Sequence, residues 1–173
     1  MFEPLLRLLG DQRQERLLPA LSLRLGVTSV REAASELSHQ IETAYPGQQA
    51  VDVLGFSIGG VIARSWIQQH GGHRRTRRFI SLGSPQQVTI TAQPWSSRLF
   101  RGLADVKWGS ALLQDLNDNL DTLRAVECHS FYSALDLAVL PIGPRQMLPV
   151  ATHPQLLRDP AALRPLALEL LRP

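Results

Sequence analysis

The spacing of apolar residues predicts helices and strands in alternation. Leu5, Leu8 and Leu9 share one face of a short helix over residues 3–10. Residues 17–25 read as a strand whose regular part starts after Pro19, because proline is confined to strand beginnings and edges. Ser29, with Glu32 three positions on, has the form of an N-cap with a capping box. The helix it opens, to about residue 43, sets Ala33, Leu37 and Ile41 on one face before Tyr45, Pro46 and Gly47 end it. A short β-branched run at 51–54 leads into a Gly-rich turn, and a helical pattern then runs to Gln69. Residues 77–82 form another apolar strand, ended by Gly83, Ser84 and Pro85. A helix over 110–120, a strand over 125–132, a shorter strand over 146–150 and a leucine-rich helix over 160–171 complete the chain.

Strands alternating with helices imply a mainly parallel sheet with helices on both faces, an α/β architecture of three layers. The chain of 173 residues is read as a single domain, with no repeat and no shift in composition. Residues 85–108 have no clear period and stand out as an irregular insertion or lid. Trp95 and Trp108 in that stretch are expected to pack on the domain; the other use is contact with a lipidic substrate.

Composition narrows the class. The chain is 44% hydrophobic and 19% charged, which is globular rather than disordered. Its net charge is +3, Lys107 is the sole lysine, and the arginines are spread along the chain. The densest basic cluster, from His70 to Arg78, lies between an expected helix and strand, where cations favour the helix C-terminus. No nucleic-acid partner is therefore expected, while peripheral contact with anionic lipid headgroups is retained. Cys128 is the sole cysteine, so no disulfide framework forms and a reducing compartment fits; a buried, inert thiol is expected. Glu3 stands where a signal peptide carries positive charge, and no apolar run approaches a membrane span. A cytoplasmic protein is the expectation.

The most informative segment is Gly55-Phe56-Ser57-Ile58-Gly59-Gly60. A strand runs into it and a helix leaves at once, with a serine at the apex. That is the form of a nucleophile elbow, which presents the hydroxyl at the strand's C-terminal edge above a helix N-terminus. The flanking glycines are expected to avoid collision between strand and helix. A serine hydroxyl needs a general base, and the base needs an orienting carboxylate. In proteins with such an elbow the chain order is Ser, Asp or Glu, then His, each beyond the end of a later strand. Asp136 follows the 125–132 strand and His153 follows the 146–150 strand, so both satisfy that topology. His70 and His73 fall at the far end of the elbow helix, His39 lies in a helix before the serine, and His129 sits mid-strand. Asp115, Asp118 and Asp121 belong to the 110–120 helix and its exit, and Asp159 before Pro160 is explained as an N-cap.

These segments together resemble the lipase and esterase branch of the α/β-hydrolase family. The resemblance runs through Leu54 to Gly60, Ile80 to Pro85, Leu112 to Asn117, Tyr132 to Pro141 and His153 to Leu157. It implies Ser57 as nucleophile, Asp136 as orienter and His153 as base, with the Ile58 N–H as an oxyanion donor. Related lipases often follow Gly-Ser-Pro with histidine, where this chain has Gln86 and Gln87, and the interval from Asp136 to His153 is short for the branch. Family members also carry a strand ending in His-Gly ahead of the first helix, whose loop supplies a second oxyanion N–H. No such segment precedes Ser57, so the fold is expected to be N-terminally shortened. Either the reading frame starts further upstream or the 17–25 and 51–54 strands pair directly.

The resulting expectation is a serine hydrolase acting on a small-molecule or lipid carboxylic ester, through an acyl-enzyme. Alternatives are a thioesterase or acyltransferase with the same triad, or a catalytically weak hydrolase-fold module that binds lipid or protein. No metal or organic cofactor is expected: the His and Cys spacings give no zinc site, and residues 117–119 lack the Gly and distal Glu of a calcium loop.

Overall fold

The computed structural model describes residues 1–13, 15–21, 28–86, 110–134 and 140–173. Within them, β1 (Val51–Phe56), β2 (Thr76–Leu82), β3 (Glu127–Tyr132) and β4 (Arg145–Met147) form one sheet. Neighbours are parallel throughout, in the order β1-β2-β3-β4. Helices α1 (Glu3–Leu9), α2 (Val30–Ala44), α3 (Ile58–Gln69), α4 (Ala111–Asp118), α5 (Asp121–Arg124) and α6 (Pro160–Leu171) cover both faces.

The three-layer reading holds, and side-chain alternation explains it. Along β2, Phe79 points into one apolar cluster, while Ile80 and Leu82 point into another. The first cluster joins Ala33, Leu37 and Ile41 of α2 to Ile62 and Trp66 of α3 and to Leu113 and Leu116 of α4. The second joins Leu5 and Leu9 of α1 to Leu163, Leu166 and Leu170 of α6. A parallel sheet buried on both faces needs apolar residues at successive positions, and β2 supplies them.

Local capping chemistry sets several boundaries. The Ser29 Oγ accepts from the Glu32 N–H at 3.2 Å, and the Glu32 carboxylate accepts from the Ser29 N–H at 2.7 Å. This is the expected capping box, and its hydrogen bonds hold the Glu32 carboxyl below the usual carboxylate range. Asp159 caps α6 as expected, accepting from the Ala161 N–H at 2.9 Å.

Other expectations are corrected. The helix expected over 110–120 is α4, capped by Ser110 and ended at Asn119, and a further short helix, α5, follows from Asp121. The last strand covers Arg145–Met147 rather than 146–150; Leu148 and Val150 are buried just past it. In α1, Leu8 is 44% exposed while Leu5 and Leu9 are buried, so the helix uses a narrower stripe. Residues 17–21 do not form a strand, and 22–27 lie outside the described residues. The same holds for most of the 85–108 segment with Trp95 and Trp108, and for Asp136. Among the described residues no helix is long and apolar enough to cross a membrane.

Candidate active site

Strand β1 ends at Phe56 and α3 begins at Ile58, so Ser57 alone makes the turn between them. Its backbone has φ 54° and ψ −131°, and it is the one non-glycine residue with positive φ among the described residues. A conformation of this kind costs about 1–3 kcal/mol and persists only where the surroundings enforce it. Here the Ser57 N–H donates to the Leu82 carbonyl of β2 at 3.0 Å, and the Ser57 carbonyl accepts from the Gly60 N–H at 3.0 Å. The Ile58 N–H belongs to the first turn of α3, which the helix itself leaves without an acceptor.

Close packing of strand against helix demands glycine at two positions. A Cβ at Gly55 would meet the backbone of Gly60, including its nitrogen at 2.7 Å. One at Gly60 would meet the Ser84 side chain, including its Cβ at 2.7 Å. At Gly59 a Cβ would meet nothing within 4 Å. The steric expectation thus applies to Gly55 and Gly60, while Gly59 of the motif has open space.

His153 opens the 3-10 turn His153–Leu157, beyond β4 and over the C-terminal end of the sheet. A second capping box sets that turn. The Gln155 Oε1 accepts from the Thr152 N–H at 2.8 Å and from the Ala151 N–H at 3.1 Å. Leu156 and Leu157 anchor the turn in the apolar cluster with α6. The His153 imidazole stacks on the Phe56 ring, centroids 4.6 Å apart at 25°. It also approaches Gly83, where a Cβ would lie 3.0 Å from the ring and 2.6 Å from Leu156. Gly83 has φ 54° and directly follows Leu82, the acceptor for Ser57. The chain therefore brings His153 against the residue preceding Ser57 and against the turn after β2.

Phe56, Gly83 and the Thr152–Gln155 box were not singled out from sequence. The box has a signal, a threonine followed three positions later by glutamine; the stacking has none.

Competing side chains are occupied elsewhere. His129 lies 3.6 Å from the Glu169 carboxylate and stacks on Phe131 at 4.2 Å. His73 Nδ1 lies 3.3 Å from the Ile67 carbonyl. Asp115 pairs with Arg31 at 3.0 Å, and Asp121 with Arg124 at 3.1 Å. Cys128 is buried, and burial pushes its thiol up to about 12, so at neutral pH it is a protonated, poor nucleophile. Among the described residues no cluster of three His, Cys, Asp or Glu side chains could hold a metal ion.

Behind the elbow, Arg64 of α3 is fully buried. It donates to the carbonyls of Gln86 at 2.9 Å and Leu116 at 2.6 Å, and to the Asn117 side chain at 2.9 Å. Burial lowers its pKa to about 10, still leaving it charged at neutral pH. Gln86, which stands where related lipases often have histidine, donates to the Ser81 hydroxyl at 3.2 Å.

A parallel sheet between helical layers, with a serine at positive φ where a strand turns into a helix, defines the α/β-hydrolase fold. Residues 23–134 match the model of the palmitoyl protein thioesterase family, and the chain belongs to that family. Its fold and family are those of ester- and thioester-cleaving hydrolases. The match contains Ser57 and ends before Asp136 and His153. Among solved structures, the mature lipase BlEst2 of Bacillus licheniformis is similar, with TM-score 0.60 and 12% identity over 84% of this chain and 76% of that one. A lipase-esterase related protein of Clostridium acetobutylicum has TM-score 0.54 and 11% identity, over 95% of this chain and 88% of its own. Phospholipase PlaB of Legionella pneumophila, solved with thio-NAD, has TM-score 0.60 and 17% identity, over 76% of this chain and 34% of its own. At such identities the likeness is one of fold. No curated protein sequence matches the chain.

Proposed function

We propose that this protein hydrolyses an acyl ester or thioester of a lipidic acyl group through Ser57. The observation that carries the reading is the Ser57 backbone, strained to φ 54° at the C-terminal end of β1 with the first N–H groups of α3 beneath it. A structural serine has no need of that conformation.

In this mechanism His153 takes the Ser57 proton as the hydroxyl attacks the acyl carbonyl. Asp136 orients the imidazole and stabilises its protonated form. The Ile58 N–H donates to the developing oxyanion, worth a factor of about a hundred to a thousand for such a donor. Collapse of the tetrahedral intermediate expels the alcohol or thiol, protonated by His153, and leaves an acyl-serine. Water activated by the same histidine then releases the acid. The family model supports the thioester arm, the fold neighbours the ester arm, and the nucleophile and base are common to both.

The test is labelling of the purified chain with a fluorophosphonate probe, beside turnover of p-nitrophenyl butyrate and of an S-palmitoyl peptide. Labelling and turnover of the wild type, both lost in Ser57→Ala, are expected. Equal labelling of wild type and Ser57→Ala would overturn the assignment of the nucleophile. A folded wild type that neither labels nor turns over would overturn the catalytic reading in favour of a binding module.

A further inference from the structure

The turn after β2, residues 83–86, touches the segments that carry both Ser57 and His153. At its start the Leu82 carbonyl accepts from the Ser57 N–H at 3.0 Å. A Cβ at Gly83 would lie 3.0 Å from the His153 ring, and the Gly83 N–H donates to the Phe131 carbonyl of β3 at 2.8 Å. The Ser84 hydroxyl lies 3.2 Å from the Gly55 carbonyl of β1 and 3.3 Å from the Leu82 carbonyl. A shift of this turn therefore moves Ser57 and His153 against one another. Its far end is held by Arg64. Ser57, Gly60, Arg64 and Gln68 recur on one face of α3, and each meets the turn or α4. All three nitrogens of the buried Arg64 guanidinium donate. Nη1 donates to the Gln86 carbonyl at 2.9 Å, and Nη2 to the Leu116 carbonyl at 2.6 Å and to Asn117 Oδ1 at 2.9 Å. Nε donates to Gln68 Oε1 at 2.6 Å, and Gln68 Nε2 donates to the same Leu116 carbonyl at 2.9 Å.

We propose that Arg64 is a positioning residue for the reaction, a brace that fixes the turn after β2 and so the approach of His153 to Ser57. The proposal rests on the hydrolase reading above. Two features select Arg64 for this role. Its fork is planar, so one side chain holds the Gln86 carbonyl and the end of α4 at a fixed separation. Both anchor points need a donor. Leu116 is in the last turn of α4, where the helix leaves its carbonyl without a partner, and a cation there also favours the helix dipole. The Gln86 carbonyl closes the turn, whose other polar groups bond to the sheet: Gln86 Nε2 donates to the Ser81 hydroxyl at 3.2 Å. Arg64 thereby links the helix that begins at Ser57 to the turn that faces His153. It stands two helical turns, about 10 Å, from the serine and acts only through that turn.

The experiment compares the full wild-type chain with Arg64→Met, which removes the fork, and Arg64→Lys, which keeps the charge without it. Leu123→Ala, a cavity in the first apolar cluster away from the turn, controls for lost stability. On p-nitrophenyl butyrate, kcat of Arg64→Met should fall by about ten- to a hundredfold, with KM changed by less than about threefold. Arg64→Lys should lose at least about threefold in kcat, and it decides the matter where Arg64→Met does not fold. Leu123→Ala should keep the wild-type kcat per folded molecule. Amide hydrogen exchange reads the brace apart from turnover. Relative to Ile80, whose strand is paired on both sides, the Ser57 and Gly83 amides should exchange at least about tenfold faster in both Arg64 variants and unchanged in Leu123→Ala. Wild-type kcat in Arg64→Lys, or a loss confined to KM, would overturn the positioning role. An unchanged exchange ratio in active variants would overturn the brace and leave the hydrolase reading intact. A wild type that shows the exchange difference against its Arg64 variants but turns over nothing would overturn the hydrolase reading and leave the brace.

Discussion

The imidazole of His153 lies on the ring of Phe56, 4.6 Å between centroids, and Phe56 is the residue whose carbonyl leads directly into Ser57. One aromatic contact thus ties the loop after β4 to the turn after β1. It sets where the ring stands without occupying the serine itself.

Phe56→Leu keeps an apolar side chain and removes the stacking. Such pairs contribute about 0.5–1.5 kcal/mol, so kcat/KM on p-nitrophenyl butyrate should fall by up to about tenfold. Fluorophosphonate labelling should persist at a reduced rate, with little change in the unfolding midpoint. Unchanged kcat/KM would show that the stacking on Phe56 does not position His153.

Gly59 and Gly60 are adjacent glycines with opposite constraints. Gly59→Ala places its methyl in open space within a helix and should stabilise by up to about 1 kcal/mol. Gly60→Ala drives a methyl into Ser84 and should destabilise by about 1–3 kcal/mol. Chemical denaturation of the two variants checks both signs at once.

Arg78 and Arg77 both reach Asp52, at 3.7 and 2.6 Å, yet they should not be equivalent. Arg78 is 1% exposed, faces Glu127 and Glu169 as well, and donates to the Glu169 and Arg172 carbonyls. Truncating it breaks a buried network, and Arg78→Ala should cost about 3 kcal/mol or more. Arg77 is 42% exposed and pairs with Asp52 alone among the described residues. Arg77→Ala should cost less than about 1 kcal/mol, since solvent screens that pair. Similar losses in the two variants would contradict this ranking.

Burial raises the Cys128 thiol from near 9 to about 12. A folded-state pKa above the unfolded one stabilises fully below the unfolded value and is lost as pH rises toward the folded value. Wild-type stability should therefore fall relative to Cys128→Ala between pH 9 and 12, by up to about 1.4 kcal/mol per pH unit. Parallel stability profiles for the two proteins would show that the thiol ionises alike in both states. At pH 8 a thiol reagent should label Cys128 only in denaturant.

Much of the fold is written locally, and for that reason it is legible in the chain. Ser29 and Glu32 interact within one helical turn, and Asp159 caps the turn that Pro160 opens, so their residue types mark the boundary wherever they occur. The strand, serine and helix of the elbow are contiguous, and their order marks a strained apex before any neighbour is known. The alternation of strands and helices likewise implies a parallel sheet between two helical layers. Tertiary structure decides the rest, because it depends on which residues meet across the sheet. Gly59 and Gly60 look alike in sequence; only Ser84, reached from the end of β2, separates them. No period joins Phe56 to His153, and no composition marks Arg78 as the arginine that is buried. The pairing of β1 with β2 is the same kind of fact: a strand's own residues state that it can pair, and only the assembled sheet determines with which neighbour it does.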